Sequence, residues 1–263
     1  MTVVGARVPK FIKSRIQIFA GATDVFYWRL RIKIAKYISK YHEGVGATVS
    51  SKTGLMIAII DYNAGNITSV ARALHSIGRE FIITDDTKML DAASHVIFPG
   101  VGAAGEAMAY LKQKKLDVWL QACFQSGKPI LGICLGTQIV LAASEENSTD
   151  CIGLVPGSTK RFPDDLAADG RALKIPHMGW NSVTFKRKHP VFEGLSPEAE
   201  FYFVHSYYPS PSDEAAVLGT TDYGMTFCSV LAVKNLVAMQ FHPEKSGRPG
   251  LQILKNFCAW GGI

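Results

Sequence analysis

Apolar positions along this chain change their spacing segment by segment, and the spacing predicts the elements. "MIAII", from Met56, is a short unbroken apolar run, the pattern of a strand buried on both faces. The turn-rich "DYNAGN" follows, and then "ITSVARALHSIG", a helical pattern that stops at Gly78. "EFIIT" and "SHVIFPG" predict a second and third strand, the latter halted by Pro99 and Gly100. "GEAMAYLKQKKLDVWLQACFQSG" predicts one helix ending at Gly127. "KPILGIC" predicts a fourth strand, and "LGTQIVLAASEE" a helix after it. Strand and helix in alternation, with short connections, predict an α/β fold: a single mainly parallel sheet with helices on both faces.

The second half is richer in strands, with "KIPHMGWNSVTF", "AEFYFVHSYYP" and "MTFCSVLAVKNLVAMQFHPE" as candidates. "SVLAVKNLVAMQF" predicts a hairpin turning at Lys234–Asn235, and "GLQILKNFCAW" a final helix. No internal repeat interrupts this pattern, so residues 56–263 are expected to form one domain.

Residues 1–55 read differently. The first 54 carry ten Lys and Arg against Asp24 and Glu43, a local charge of +8 that leaves −2 for the rest. The net charge of +6 therefore belongs to a leader, and basicity gives no reason to expect nucleic-acid binding. "FYWRLRIKIAKYISKY" has the composition of a membrane-surface helix or an Arg-rich transit segment, but its period-two alternation spoils a helical face. The plainer expectation is a disordered leader, or a translation start at Met56.

The chain has 263 residues, 48% of them hydrophobic, enough for a sizeable core. No apolar run is as long as a membrane span, so no membrane is expected for the core domain. Five cysteines (Cys123, Cys134, Cys151, Cys228 and Cys258) without C-x-x-C spacing argue against a zinc site and a disulfide framework. They suit a reducing cytoplasm. No metal and no cofactor is expected.

One cysteine stands in an unusual setting. "GICLG", Gly132 to Gly136, has the form of a nucleophile elbow. A sharp strand-to-helix turn would strain Cys134, and the flanking glycines would allow close approach of neighbouring chain. The thiol would stand at a helix N-terminus, which favours thiolate, and the Leu135 amide would face an oxyanion. A tight turn holding an inert cysteine fits the pentapeptide equally well.

A cysteine nucleophile needs a base. His242 ends the strand "NLVAMQF", at the sheet edge where α/β sites form. Glu244 follows beyond Pro243, whose ring would keep the chain extended so that Glu244 can orient the imidazole. A strand-end histidine with a purely local role fits His242 alone. The loop "FPGVGAAGE" lies at another strand end, where the amides of Gly100, Val101 and Gly102 could complete an oxyanion hole. An ordinary Gly-Pro loop and a phosphate cradle are the other readings, the second weakened by the lack of G-K-[ST].

These pieces, in this order, resemble the class I (triad-type) glutamine amidotransferases over about four fifths of the chain. "IAIIDYNAGN", "LGICLGTQ", "PHMGWN", "FYFVHSYY" and "QFHPEKS" are similar in detail to the glutaminase subunits that serve histidine biosynthesis. The resemblance implies a flavodoxin-like amidotransferase fold and L-glutamine as substrate. It implies that Cys134 attacks the side-chain amide, that His242 moves the proton and that Glu244 orients His242. It places Gln138 near the substrate and the backbone of His205, Ser206 and Tyr207 on its α-carboxylate. It also implies a cyclase (synthase) partner in a heterodimer, with Trp180 and Asn181 as a contact patch. Core packing is the other reading of Trp180. Ammonia supply for surface-sugar amidation, a non-catalytic regulatory module and a thiol peptidase are the rival functions.

Overall fold

A computed structural model describes residues 56–62, 66–168 and 170–262 of the chain. The leader expected over residues 1–55 lies outside the described residues. The first half runs β1 (Ile57–Ile60), α1 (Ile67–Ser76), β2 (Phe81–Thr84), α2 (Thr87–Ala92), β3 (His95–Gly100), α3 (Ala104–Lys114), α4 (Leu116–Gln125), β4 (Ile130–Cys134) and α5 (Leu135–Ile139). Short strands follow: β5 (Leu141–Ser144), β6 (Thr149–Asp150), β7 (Val155–Arg161), β8 (Ala167–Ala168) and β9 (Arg171–Ala172). The chain continues through β10 (His177–Ser182), β11 (Thr184–Phe185), β12 (Glu200–His205), β13 (Tyr207–Pro211), β14 (Val217–Asp222), β15 (Thr226–Val233), β16 (Leu236–Met239) and α6 (Gly247–Phe257).

The main sheet has eight strands in the order β11-β14-β15-β16-β4-β3-β1-β2. The stretch β16-β4-β3-β1-β2 is parallel throughout, and the strands beyond β16 pair antiparallel. The parallel strands are the apolar runs read from the sequence, and Ile57 to Ile60 and Leu131 are fully buried. From β1 the chain steps outward to β2, then back across β1 to β3 and β4. Right-handed crossovers therefore put α1 on one face and α2, α3 and α4 on the other. The reversal makes the crevice between the carboxyl ends of β1 and β3 a topological switch point. Smaller sheets accompany the main one: β13-β7-β5-β6 and the ribbons β10-β12 and β8-β9.

Four local expectations change. The long helix is two, α3 and α4, because Lys115 between them is left-handed, with φ 57°. The helix expected over "LGTQIVLAASEE" stops after Ile139, and Leu141–Ser144 pairs with β7 instead. Leu141 is fully buried there, paired with Val155 of β7. Strand β3 runs through Pro99 and Gly100, because proline needs no amide at the last residues of a ladder. Helix α2 escaped the sequence reading, although Asp86 caps it by accepting a hydrogen bond from the Lys88 amide at 2.9 Å.

Candidate active site

The carboxyl ends of β3, β4 and β16 lie side by side, and each delivers one part of the site. Cys134 is the last residue of β4 and has φ 53° and ψ −108°, a conformation β-carbon sterics disfavour. Both neighbouring glycines are required by packing. A β-carbon on Gly136 would lie 2.0 Å from the Phe98 carbonyl oxygen, and one on Gly132 would lie 2.8 Å from Ala238 Cβ. The elbow is thus clamped between β3 and β16. The helix after it is a single short turn of five residues, so the thiol stands over less helix than the sequence suggests.

His242 comes from the neighbouring strand end, three residues after β16. It is completely buried. Its backbone is fixed from both sides: its amide donates to Tyr202 O at 2.9 Å, and Ser246 Oγ donates to its carbonyl at 2.6 Å. Pro243 does not keep the chain extended. It opens a 3-10 turn, Pro243–Lys245, which folds Glu244 back beneath the imidazole. His242 Nδ1 then donates to Glu244 Oε1 at 2.7 Å, with neither side chain exposed. This leaves Nε2 as the ring's free face, and it has no hydrogen-bond partner among the described residues. Burial works against a proton on His242, but the neighbouring Cys134 and the Glu244 carboxylate outweigh burial and raise its pKa to about 10. The other four thiols are pushed up by burial to about 11 or 12 and are inert at neutral pH.

Sequence reasoning missed three side chains here. Asn66, at the start of α1, donates from Nδ2 to Glu244 Oε1 and lies 3.1 Å from His242 Nδ1. Gln240 is fully buried and donates from Nε2 to Cys134 Sγ at 3.6 Å. Tyr62, just beyond β1, packs against Phe98 with ring centroids 5.2 Å apart. Asn66, Gln240 and Tyr62 all lie within motifs the sequence analysis quotes, yet only folding brings them to Cys134.

The remaining predicted residues are placed as follows. Gly100 pairs in register with Cys134, Val101 and Gly102 follow it, and Gly102 has φ 103°, which favours glycine. Leu135 begins α5 directly after the thiol. Gln138 donates to Tyr207 O and to Gln240 Oε1, both at 3.0 Å, so its amide links the β13 entrance to the residue touching the sulfur. Ser206 joins β12 to β13 and accepts from the Phe162 amide at 3.0 Å.

A chain of buried groups runs from β10 towards this corner. His205 Nδ1 donates to Tyr207 O at 2.8 Å, so its Nε2 must accept; His177 Nδ1 lies 3.0 Å from it and donates. Asn181 Nδ2 completes the line to His177 Nε2 at 3.4 Å. Burial keeps both rings neutral, lowering His177 to about 4 and His205 to about 3. Trp180 is not core: it is 53% exposed, and Met178, two residues earlier on the same face of β10, is 62% exposed. Among the described residues, no cluster of His, Cys, Asp and Glu could hold a metal ion. None of the described helices is long and apolar enough to cross a membrane.

Comparison with known proteins agrees with this geometry. Residues 58–260 match the model of the family "Glutamine amidotransferase class-I". Proteins named imidazole glycerol phosphate synthase subunit HisH are similar over most of their length. The one from Desulfovibrio desulfuricans is 53% identical, covering 77% of this chain and 93% of its own. That of Pseudomonas syringae pv. syringae is 45% identical, covering 78% and 98%. Among solved structures, a PurLQS chain from Thermotoga maritima superposes with a TM-score of 0.60 at 17% identity, covering 78% of this chain and 97% of that one. A glutamine amidotransferase from the same organism gives 0.52 at 18% identity, covering 78% and 83%. These two likenesses concern the fold alone. The chain belongs to the class I glutamine amidotransferase family.

Proposed function

We propose that this chain is the glutaminase subunit of an imidazole glycerol phosphate synthase, which releases ammonia from L-glutamine for a cyclase partner in histidine biosynthesis. The observation that carries the reading is the buried line from Glu244 through His242 Nδ1 to a free Nε2 facing a strained cysteine. Relatives bearing that subunit's name, at 45–53% identity, support it. The catalytic domain is assigned to residues 56–263.

In this reading Cys134 Sγ adds to the side-chain amide carbon, and the carbonyl electron pair moves onto oxygen. The backbone amides of Leu135 and of the loop Gly100–Val101–Gly102 receive that charge. As the carbon–nitrogen bond breaks, His242 Nε2–H gives its proton to the leaving nitrogen, and ammonia departs. Water, deprotonated by His242, then cleaves the γ-glutamyl thioester to glutamate. Two easier steps replace one difficult amide hydrolysis. Glu244 steadies the imidazolium, and Asn66 steadies Glu244. Gln138 holds Tyr207 in place, and the backbone of His205, Ser206 and Tyr207 holds the substrate α-carboxylate. The exposed Met178 and Trp180 form the face of β10 that docks the cyclase as a heterodimer, and Asn181, on the strand's other face, ties it to the buried His177. Free cysteines at all five positions fit a cytoplasmic setting.

The test is Cys134→Ser in the presence of the cyclase subunit. Glutamine-dependent synthesis should be abolished, while synthesis from added ammonium salt persists. Normal glutamine turnover by the variant would defeat the assignment.

A further inference from the structure

Tyr62 occupies the crevice between the carboxyl ends of β1 and β3, the switch point of the sheet. Its side chain is 3% exposed, and its ring rests on Phe98. The ring directs the hydroxyl onto Gly100 so closely that a β-carbon there would lie 1.9 Å from the Tyr62 oxygen. Glycine at position 100 is therefore what admits this hydroxyl. The same side of Gly100 faces the nucleophile elbow, with Leu135 Cβ 2.8 Å and Gly136 N 3.2 Å from that β-carbon position. Gly100 pairs in register with Cys134, so the hydroxyl packs on the residue whose backbone lies one strand spacing, ~4.8 Å, from that of the nucleophile.

The hydroxyl has no hydrogen-bond partner among the described residues. A buried hydroxyl without a partner is costly, and phenylalanine would fill the same space without that cost. Burial, and then the charge of Cys134, push the Tyr62 pKa well above its ordinary value, so the group stays protonated and can act only as a neutral donor or acceptor. An unpaired donor held rigidly beside a nucleophile is suited to charge that develops during the reaction.

We propose that Tyr62 is a further catalytic residue, whose O–H donates a hydrogen bond to the substrate oxygen that becomes negative when Cys134 adds to the glutamine amide. This rests on the glutaminase reading above. The sulfur–carbon bond forms, the carbonyl electron pair moves to oxygen, and Tyr62 keeps its proton while sharing it with that oxygen. When the carbonyl reforms, the carbon–nitrogen bond breaks and the proton on the leaving nitrogen comes from His242, not from Tyr62. The hydroxyl thus adds a side-chain donor to the backbone amides of the elbow and the loop. A bond to a charged oxygen is stronger than one to a neutral carbonyl, so the gain is largest after attack.

The test is Tyr62→Phe in the full chain with its cyclase partner, alongside native protein and Cys134→Ser. Four quantities are read: glutamine kcat and KM, ammonium-dependent synthesis, the rate of Cys134 alkylation by iodoacetamide, and Tm. We expect kcat to fall about 100-fold with KM unchanged. Ammonium-dependent synthesis and alkylation should be unchanged, since displacement of iodide creates no oxyanion. Tm should hold or rise, because an unpaired buried hydroxyl is removed. An unchanged kcat, or a fall in kcat matched by slower alkylation or lower Tm, would overturn the proposal. If native protein turns over no glutamine, or Cys134→Ser turns it over normally, the glutaminase reading itself fails. If those controls behave and Tyr62→Phe is silent, only the role of Tyr62 is lost.

Discussion

Replacing Cys134 with alanine should change the proton affinity of His242, and the size of that change follows from the site. In the native chain His242 is raised to about 10 although burial opposes it, and Cys134 is the first of the influences that raise it. Two unit charges at ~4 Å interact by ~4 kcal/mol at an effective dielectric constant near 20. One pH unit corresponds to about 1.4 kcal/mol, so losing the influence of Cys134 should lower the titration midpoint by up to about three units. Glu244, unchanged at 2.7 Å, keeps it from collapsing. The assay is NMR titration of protein labelled at histidine Cε1, with the His242 signal identified by its absence in His242→Gln. The alanine side chain adopts the backbone of Cys134 with the same strain, so the fold around the ring is preserved. A midpoint that moves by less than about one unit would show that the thiol is not the charge His242 feels, and would refute the pairing of nucleophile and base.

Gly136→Ala should destabilise the chain by about 1–3 kcal/mol and cut glutamine turnover, because its β-carbon would meet the Phe98 carbonyl at 2.0 Å and the elbow must shift; an unchanged urea midpoint would contradict this. Stability should also fall as pH drops from ~6.5 to ~5, before most carboxylates titrate. His177 and His205, at about 4 and 3, and His95 and His189, also lowered by burial, bind protons less readily folded than unfolded, so acid favours unfolding. His242 is raised, so its contribution is already complete below ~6.5 and is lost only as pH climbs towards about 10, outside this window. Urea midpoints that stay flat across this window would count against the neutral buried histidines.

Much of this protein was legible one segment at a time. The parallel strands announced themselves because strands buried on both faces must be apolar at every position, as in Ile57–Ile60 and Ile130–Cys134. The elbow was legible because its chemistry is local: two glycines and a cysteine within five residues determine how closely backbone can pack. His242 and Glu244 were legible for the same reason, being two residues apart. Where neighbours in sequence did not decide, the reading failed. Leu141–Ser144 carries helix-compatible spacing but pairs with β7, and the turn at Pro243 was read as extended chain.

Contacts across long stretches of chain belonged to the tertiary structure alone. Asn66 reaches Glu244 across 178 positions, and Gln240 reaches Cys134 across 106. Their partners are chosen by strand order, and no local pattern encodes that β16 lies beside β4. Trp180 illustrates the same division: an aromatic in a strand suits core and surface equally, and only the pairing of β10 with β12 turns it outward. Tyr62 is the extreme case. Its sequence neighbours mark a turn, and its chemistry arises only because folding brings a hydroxyl from the end of β1 against a glycine at the end of β3, where no side chain stands in the way.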